Sequence, residues 1–223
     1  MNEKDLGRRR FLTNVALIGA AGMAAPAILA SCSGGSGNGK LTPLKKEGEY
    51  YVPELPDKAV DGKELKVGVI GCGGRGSGAV MNLLDAANGI KVTALGDVFD
   101  DRLQDLRAHL KNDRQQEVPD EACFTGFDAY QKVIDSGVDM AIIATPPAFR
   151  PTHFQYATGK GVHSFLEKPI AVDPKGYRTI MAAAKQAQAK GLSVVTGTQR
   201  HHERRYVEAN KQIQAGLIGE ITG

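Results

Sequence analysis

From Leu65 onward the sequence predicts an α/β fold, a doubly wound parallel sheet with helices packed on both faces. Three observations predict it. Short apolar runs alternate with segments whose apolar residues recur at helical spacing, in units of strand–helix–strand length. Glycine and proline stand where helices must stop or start. The apolar runs number about six, as in a sheet built from two consecutive βαβαβ halves. With 223 residues, 42% of them apolar and 24% charged, the chain has the make-up of an ordered globular protein and room for one good-sized domain or two small ones.

Leu65–Ile70 reads as the first strand. The helix after it carries Val80, Leu83, Leu84 and Ala87 on one face and ends at Gly89. Ile90–Leu95 is the second strand, and Leu103, Leu106 and Leu110 mark the second helix. A weak strand is expected at Ala122–Phe124. Asp128 is expected to cap a helix carrying Tyr130, Val133 and Ile134, which Gly137 closes. Asp139–Ala144 contains a strand of the fully buried type. Pro151 opens a helix that Gly161 stops, and Val162–Leu166 is the next strand. Pro174–Lys190 reads as a long helix with Tyr177, Ile180, Met181, Ala184 and Ala187 on its inner face, ended by Gly191. Leu192–Thr196 completes the series, which has no internal repeat.

Gly71, Gly73 and Gly76 form G-x-G-x-x-G directly after the first strand and at the head of the first helix. In that context the first glycine permits a tight turn, the second lets the backbone approach a pyrophosphate, and the third allows close helix–strand packing. The helix N-terminus adds free N–H groups and partial positive charge. Gly74 and Arg75 lie inside the same turn and are counted with it. Asp97, at the end of the second strand, stands 21 residues beyond Gly76, close to the ~20 expected for an acid that binds an adenosine ribose. A carboxylate there accepts from both ribose hydroxyls and repels a 2′-phosphate, and Val98, Phe99 and Asp100 follow it with no adjacent cation. The expected cofactor is therefore NAD rather than NADP, on a Rossmann-type domain.

The first residues carry a different signal. Arg8-Arg9-Arg10-Phe11-Leu12 precedes an apolar stretch from Val15 to Ala30, which closes on Leu29-Ala30-Ser31-Cys32. The stretch is short and rich in glycine and alanine, which favours a signal peptide over a retained membrane span. The arginine pair resembles the twin-arginine export signal, and the closing tetrapeptide resembles a bacterial lipobox, in which the cysteine becomes the lipidated N-terminus. Residues 1–32 are thus expected to direct export to the periplasmic side, with a lipid anchor at Cys32 as the sole membrane attachment. Residues 33–64 are expected to form a flexible tether that becomes charged and proline-bearing. The twin-arginine route carries folded proteins, so a cofactor bound inside the cell could leave with the chain. Lys4, Arg8, Arg9 and Arg10 outnumber Glu3 and Asp5 and supply +2 of the net +3, so the body is nearly neutral and no nucleic-acid partner is indicated. Cys32, Cys72 and Cys123 are too few and too scattered for a disulfide framework or a metal site.

Two further stretches, Ala141–Phe154 and Gly159–Pro174, end strands at the edge of the sheet where ligands bind in open α/β folds. Lys168 follows a buried-type strand there, a place for proton transfer beside a cofactor, although a solvated strand-end lysine would fit the spacing equally. With "GVIGCGGRG", Asp97, "ATPP" followed by His153, "GKGVHSFLEKPIAVDP", "GTQRHH" and "IQAGLIGEITG", the chain from about Leu65 to Gly223 resembles the glucose–fructose oxidoreductase / inositol dehydrogenase / MocA family of NAD(P)-dependent enzymes.

The resemblance implies that Lys168 of the E-K-P motif is catalytic, beside the nicotinamide and the substrate hydroxyl. It implies that Glu167 contacts the nicotinamide-side ribose and that the bond before Pro169 is often cis. Thr145 and Pro146 would line the cofactor cleft, with Gln199 and Arg200 at the end of the last strand. Pro147 departs from the asparagine many members carry there. Members continue into an α+β substrate domain that supplies most substrate contacts and often the oligomer interface. Residues 65–200 would then be the dinucleotide domain and 201–223 the truncated start of the second, with His201 and His202 as loop residues. The implied function is oxidation of a secondary hydroxyl of a sugar, polyol or glycoside by an enzyme that is a homo-oligomer when full length. The alternatives are an NAD-dependent glycosidase that oxidises its sugar transiently, and a non-catalytic nucleotide-binding fragment that needs a partner.

Overall fold

Alternate side chains of a strand point to opposite faces of its sheet, so a strand buried on both sides must be apolar at nearly every position. The computed structural model, which describes residues 62–221, has six strands, the inner ones largely buried and the two at the sheet edges only partly so. The expected export segment and nearly all of the expected tether lie outside those residues. In chain order the elements are β1 (Leu65–Ile70), α1 (Gly74–Ala86), β2 (Ile90–Asp97), α2 (Asp100–Arg114), β3 (Cys123–Thr125), α3 (Ala129–Asp135), β4 (Met140–Ile143), α4 (Arg150–Lys160), β5 (His163–Leu166), α5 (Pro174–Ala189), β6 (Val194–Thr196) and α6 (Arg204–Gln214). All strand pairs are parallel, in the spatial order β3-β2-β1-β4-β5-β6. This is the doubly wound arrangement the alternation predicts. The chain reverses its winding between β1 and β4, and the carboxyl ends of those strands bound the crevice where such sheets bind ligands.

Each face has its own core. Val67 and Val69 of β1 and Ile142 of β4 meet Val80 of α1 and Leu103, Leu106 and Leu110 of α2, all at 2% exposure or less. Each of those leucines contributes about 1.5–3 kcal/mol by leaving water. Ile70, Ala141 and Ile143 point the other way, against Val133 of α3 and Phe154 of α4. A register shift between Val67 and Gly68 breaks the alternation of β2, so that Val92 and Leu95, three residues apart, face the same core.

Two glycines let α3 lie almost on the sheet. A Cβ on Gly68 would come within 2.4 Å of Val133 Cγ1, and one on Gly96 within 2.8 Å of Val133 Cγ2. The close approach of α3 over β1 and β2 puts its first residues at the rim of the crevice.

The strands expected from the sequence are present, β2 two residues longer and β6 two shorter than expected. Two local expectations fail. Asp128 precedes α3 with helical backbone angles and makes no side-chain cap; its carboxylate pairs with Lys132 at 2.9 Å instead. On α5 the buried residues are Ile180, Ala183 and Ala187, while Tyr177 and Met181 are 52% and 41% exposed. The helix is rotated towards its small residues because it packs on α4 as well as on the sheet, and alanine allows the closer approach.

Candidate functional site

A cavity of about 510 Å³ opens at the carboxyl ends of β1, β2 and β4. Its floor is the glycine turn between β1 and α1. Gly71 has φ +94°, and a Cβ there would sit 2.8 Å from the Thr145 backbone N. A Cβ on Gly76 would sit 1.8 Å from the Gly71 carbonyl oxygen. These two glycines are required by the protein's own packing. Gly73 and Gly74 are not: the first would meet only the Arg102 side chain at 3.7 Å, and the second nothing within 4 Å. Both line the cavity, so the room they leave faces the ligand space. Gly73 is also the N-cap of α1 and offers no side-chain acceptor, which leaves the first N–H groups of the helix for an anion. The residues present therefore fit a dinucleotide pyrophosphate.

Asp97 closes one end. It is 9% exposed; its Oδ2 accepts from the Cys72 N–H at 2.6 Å and its Oδ1 from the Phe99 N–H at 3.0 Å. Each carboxylate oxygen retains a lone pair for a hydroxyl. The same group thus staples the glycine turn to the β2–α2 connection. Beside it, burial and then the Asp97 charge push the Cys72 thiol far above its ordinary range, and its Sγ–H donates to the Gly96 carbonyl at 3.5 Å. Arg102, one turn into α2, lines the cavity with its guanidinium 4.8 Å above the Phe99 ring. No cation adjoins Asp97 in sequence, yet the helix brings one to the same cavity.

At the other end stand Thr145 and Pro146, after β4. The Thr145 hydroxyl shares a 3.1 Å hydrogen bond with His153 Nδ1. His153 is stacked on Tyr130 at 4.1 Å, and burial pushes its imidazole down to about 4, so it is neutral near pH 7. Arg150, the first residue of α4, is 5% exposed. Its Nε donates to the Thr145 carbonyl and its Nη1 to the Glu167 carbonyl, both at 2.7 Å, and Nη1 also reaches the Pro169 carbonyl.

The E-K-P segment follows β5. The Lys168–Pro169 bond is cis. Glu167 is 1% exposed, and its Oε1 accepts from Arg75 Nη2 at 2.6 Å, an ion pair that joins the glycine turn to the end of β5. The carboxylate fits because Gly197, just past β6, has no Cβ; one would stand 2.7 Å from Glu167 Oε1. Lys168 is exposed. Gln199 begins a short 3-10 turn, Gln199–His201, with its carbonyl accepting from the N–H groups of His202 and Glu203.

The cavity therefore gathers Gly71, Gly73, Gly74, Arg75, Gly76, Asp97, Thr145 and Pro146. Glu167, Lys168 and Gln199 stand outside its lining, at the ends of the next two strands, with Glu167 linked to it through Arg75. Sequence reasoning missed Arg102, Tyr130, Arg150 and the position of His153. Arg150 had a readable signal: a cation in the first turn of a helix opposes the macrodipole, so something else must hold it there.

Comparison with known proteins agrees on the fold and the cofactor. Residues 65–204 match the model of the oxidoreductase family with an NAD-binding Rossmann fold, GFO_IDH_MocA. Over 157 residues the chain is 26% identical to scyllo-inositol 2-dehydrogenase (NAD(+)) of Bacillus subtilis, covering 70% of this chain and 42% of that protein. It is 24% identical over 159 residues to a glycosyl hydrolase family 109 protein of Solibacter usitatus, covering 71% and 35%. Among solved structures, scyllo-inositol dehydrogenase from Lactobacillus casei with bound NAD(H) and scyllo-inositol superposes with a TM-score of 0.59 at 23% identity, over 72% of this chain and 44% of that one. The chain spans less than half the length of each of these proteins.

Proposed function

The chain belongs to the Gfo/Idh/MocA oxidoreductase family, with its NAD-binding Rossmann domain, and on that premise we propose that it oxidises a secondary hydroxyl of a polyol or sugar with NAD as hydride acceptor. One observation carries the reading. Arg75, in the glycine turn, reaches the Glu167 carboxylate, which ties the cavity to the E-K-P segment that carries Lys168. In this reading Gly73, Gly74 and the start of α1 hold the pyrophosphate. Asp97 accepts from the adenosine ribose, and Thr145 and Pro146 line the nicotinamide end. Bound NAD supplies the hydride acceptor. Lys168, on an exposed turn, receives the substrate's hydroxyl proton and passes it to water. The inositol dehydrogenase relatives support a cyclic polyol as substrate.

The test is NADH formation by the intact protein with inositols and sugars. Lys168→Ala is expected to lower kcat by about 10²–10⁴-fold, the usual worth of a general acid–base group, with NADH still bound. Full activity in that variant would overturn the role of Lys168. A second reading, an NAD-dependent glycosidase, is favoured by the glycosyl hydrolase relative. It predicts aglycone release that requires NAD yet yields no net NADH.

We propose further that Arg8-Arg9 and Cys32 direct export and lipid anchoring. The mass of the protein extracted from membranes of its own cells would then show removal of residues 1–31 and an added lipid; an unmodified N-terminus would refute it.

A further inference from the structure

Arg150 is a charged side chain at 5% exposure that the helix macrodipole disfavours, and it is held by backbone oxygens. The acceptors follow a pattern. Parallel pairing of β4 with β5 ends at Ile143 and Leu166, and the last rung beyond it is the Glu167 N–H donating to the Ile143 carbonyl. Past that rung the two strands lead into separate turns with no ladder between them. The guanidinium stands in that gap. Nε holds the Thr145 carbonyl on the β4 side, and Nη1 holds the carbonyls of Glu167 and Pro169 on the β5 side. Glu167 and Pro169 are the residues immediately before and after Lys168.

We propose that Arg150 is a positioning residue: its planar fork clasps the backbone on both sides of Lys168 and locks that segment to the Thr145 turn. Lys168 is exposed on a long flexible stem, so the direction of its amine depends on the backbone that carries it. A guanidinium offers five donors in a fixed plane and can bridge three carbonyls at once, whereas an ammonium concentrates its charge at one point. The inference deepens the proposed function and rests on its placing of Lys168 beside the cofactor.

The test reads Lys168 itself. The 223-residue chain is acylated with trace acetic anhydride, with and without NADH, and labelling of Lys168 is quantified by mass spectrometry against exposed Lys175 as reference. In the parent protein, NADH at ten times its Kd is expected to slow Lys168 labelling by about tenfold, by simple occupancy. In Arg150→Gln, at NADH concentrations shown by fluorescence titration to fill the cleft equally, protection is expected to fall below about threefold, because a segment displaced by about 1 Å no longer meets the ligand. Arg150→Lys keeps the charge but not the fork and is expected to lie between the two; should Arg150→Gln not fold, this variant decides. Undiminished protection in a folded, NADH-saturated Arg150 variant would overturn the clamp alone. Absence of protection in the parent protein would overturn the placing of Lys168, and the clamp with it.

Discussion

Substituting alanine separately at Gly76 and Gly73 should separate two jobs that the glycine motif combines. A Cβ on Gly76 would lie 1.8 Å from the Gly71 carbonyl oxygen, 3.0 Å from its carbon and 3.4 Å from Ala144 Cβ. Real Cβ atoms do not approach within 3.0 Å, so the turn must open by about 1.2 Å against the Gly71 backbone. Neither neighbour is a flexible side chain that can swing aside. Overpacking of this kind costs about 1–3 kcal/mol, and backbone-on-backbone contact belongs at the upper end, near 3 kcal/mol. For a domain of this size that corresponds to a fall in Tm of about 6–12 °C. Gly73 has φ −65° and ψ −178°, angles open to any residue, and its Cβ would touch only the Arg102 side chain at 3.7 Å. Gly73→Ala should therefore melt with the parent protein while binding NADH about tenfold more weakly, or 1.4 kcal/mol, because the methyl occupies the ligand's side of the turn. Thermal unfolding by circular dichroism and NADH fluorescence titration read the two effects independently. A Gly73→Ala protein that binds NADH as the parent does would refute the assignment of the cradle. A Gly76→Ala protein with unchanged Tm would refute the packing argument.

Asp97→Ala should raise the Kd for NADH and, with Arg102 left beside the cleft, tilt preference towards NADPH; tighter binding of NADPH than NADH by the parent protein would refute the specificity argument. His153 has a folded pKa of about 4 against about 6.5 when unfolded, so the unfolded chain binds the extra proton between those values. Its contribution to stability is complete above pH 6.5 and is lost as pH falls towards 4, by about 3 kcal/mol in all. His153→Gln should flatten that part of the urea-midpoint profile, and an unchanged slope would count against a buried neutral imidazole. Arg75→Met should destabilise more than Glu167→Gln, by about 1–2 kcal/mol, since it leaves a carboxylate at 1% exposure unpaired while Arg75 itself is half exposed. Equal unfolding midpoints for the two variants would show that solvent already screens the pair.

Most of the frame was legible because it rests on local rules. The alternation of apolar runs, the proline near the start of α4 and the left-handed glycine at its end are written within a few residues of where they act. The glycine turn and Asp97 were legible for the same reason, since their spacing encodes one strand–turn–helix–strand unit. The failures share one cause. Asp128 has the right residue type for a cap, but the neighbouring Lys132 competes for its carboxylate. Tyr177 and Met181 have the right spacing for an inner face, but α4 takes up the contact and turns α5 by part of a revolution.

The sequence by itself determined the parallel α/β architecture, the dinucleotide turn and the order of strand ends that make up the site. Tertiary structure decided how those ends are joined. Arg75 meets Glu167 from 92 residues away, and Arg150 bridges two turns that no local pattern connects. Arg102, in the first turn of α2, lines the same cavity as Asp97. Propensity and periodicity are short-ranged, whereas a buried charge is placed by whichever acceptors the packed sheet brings within about 3 Å of it, and those are known only once the chain has closed on itself.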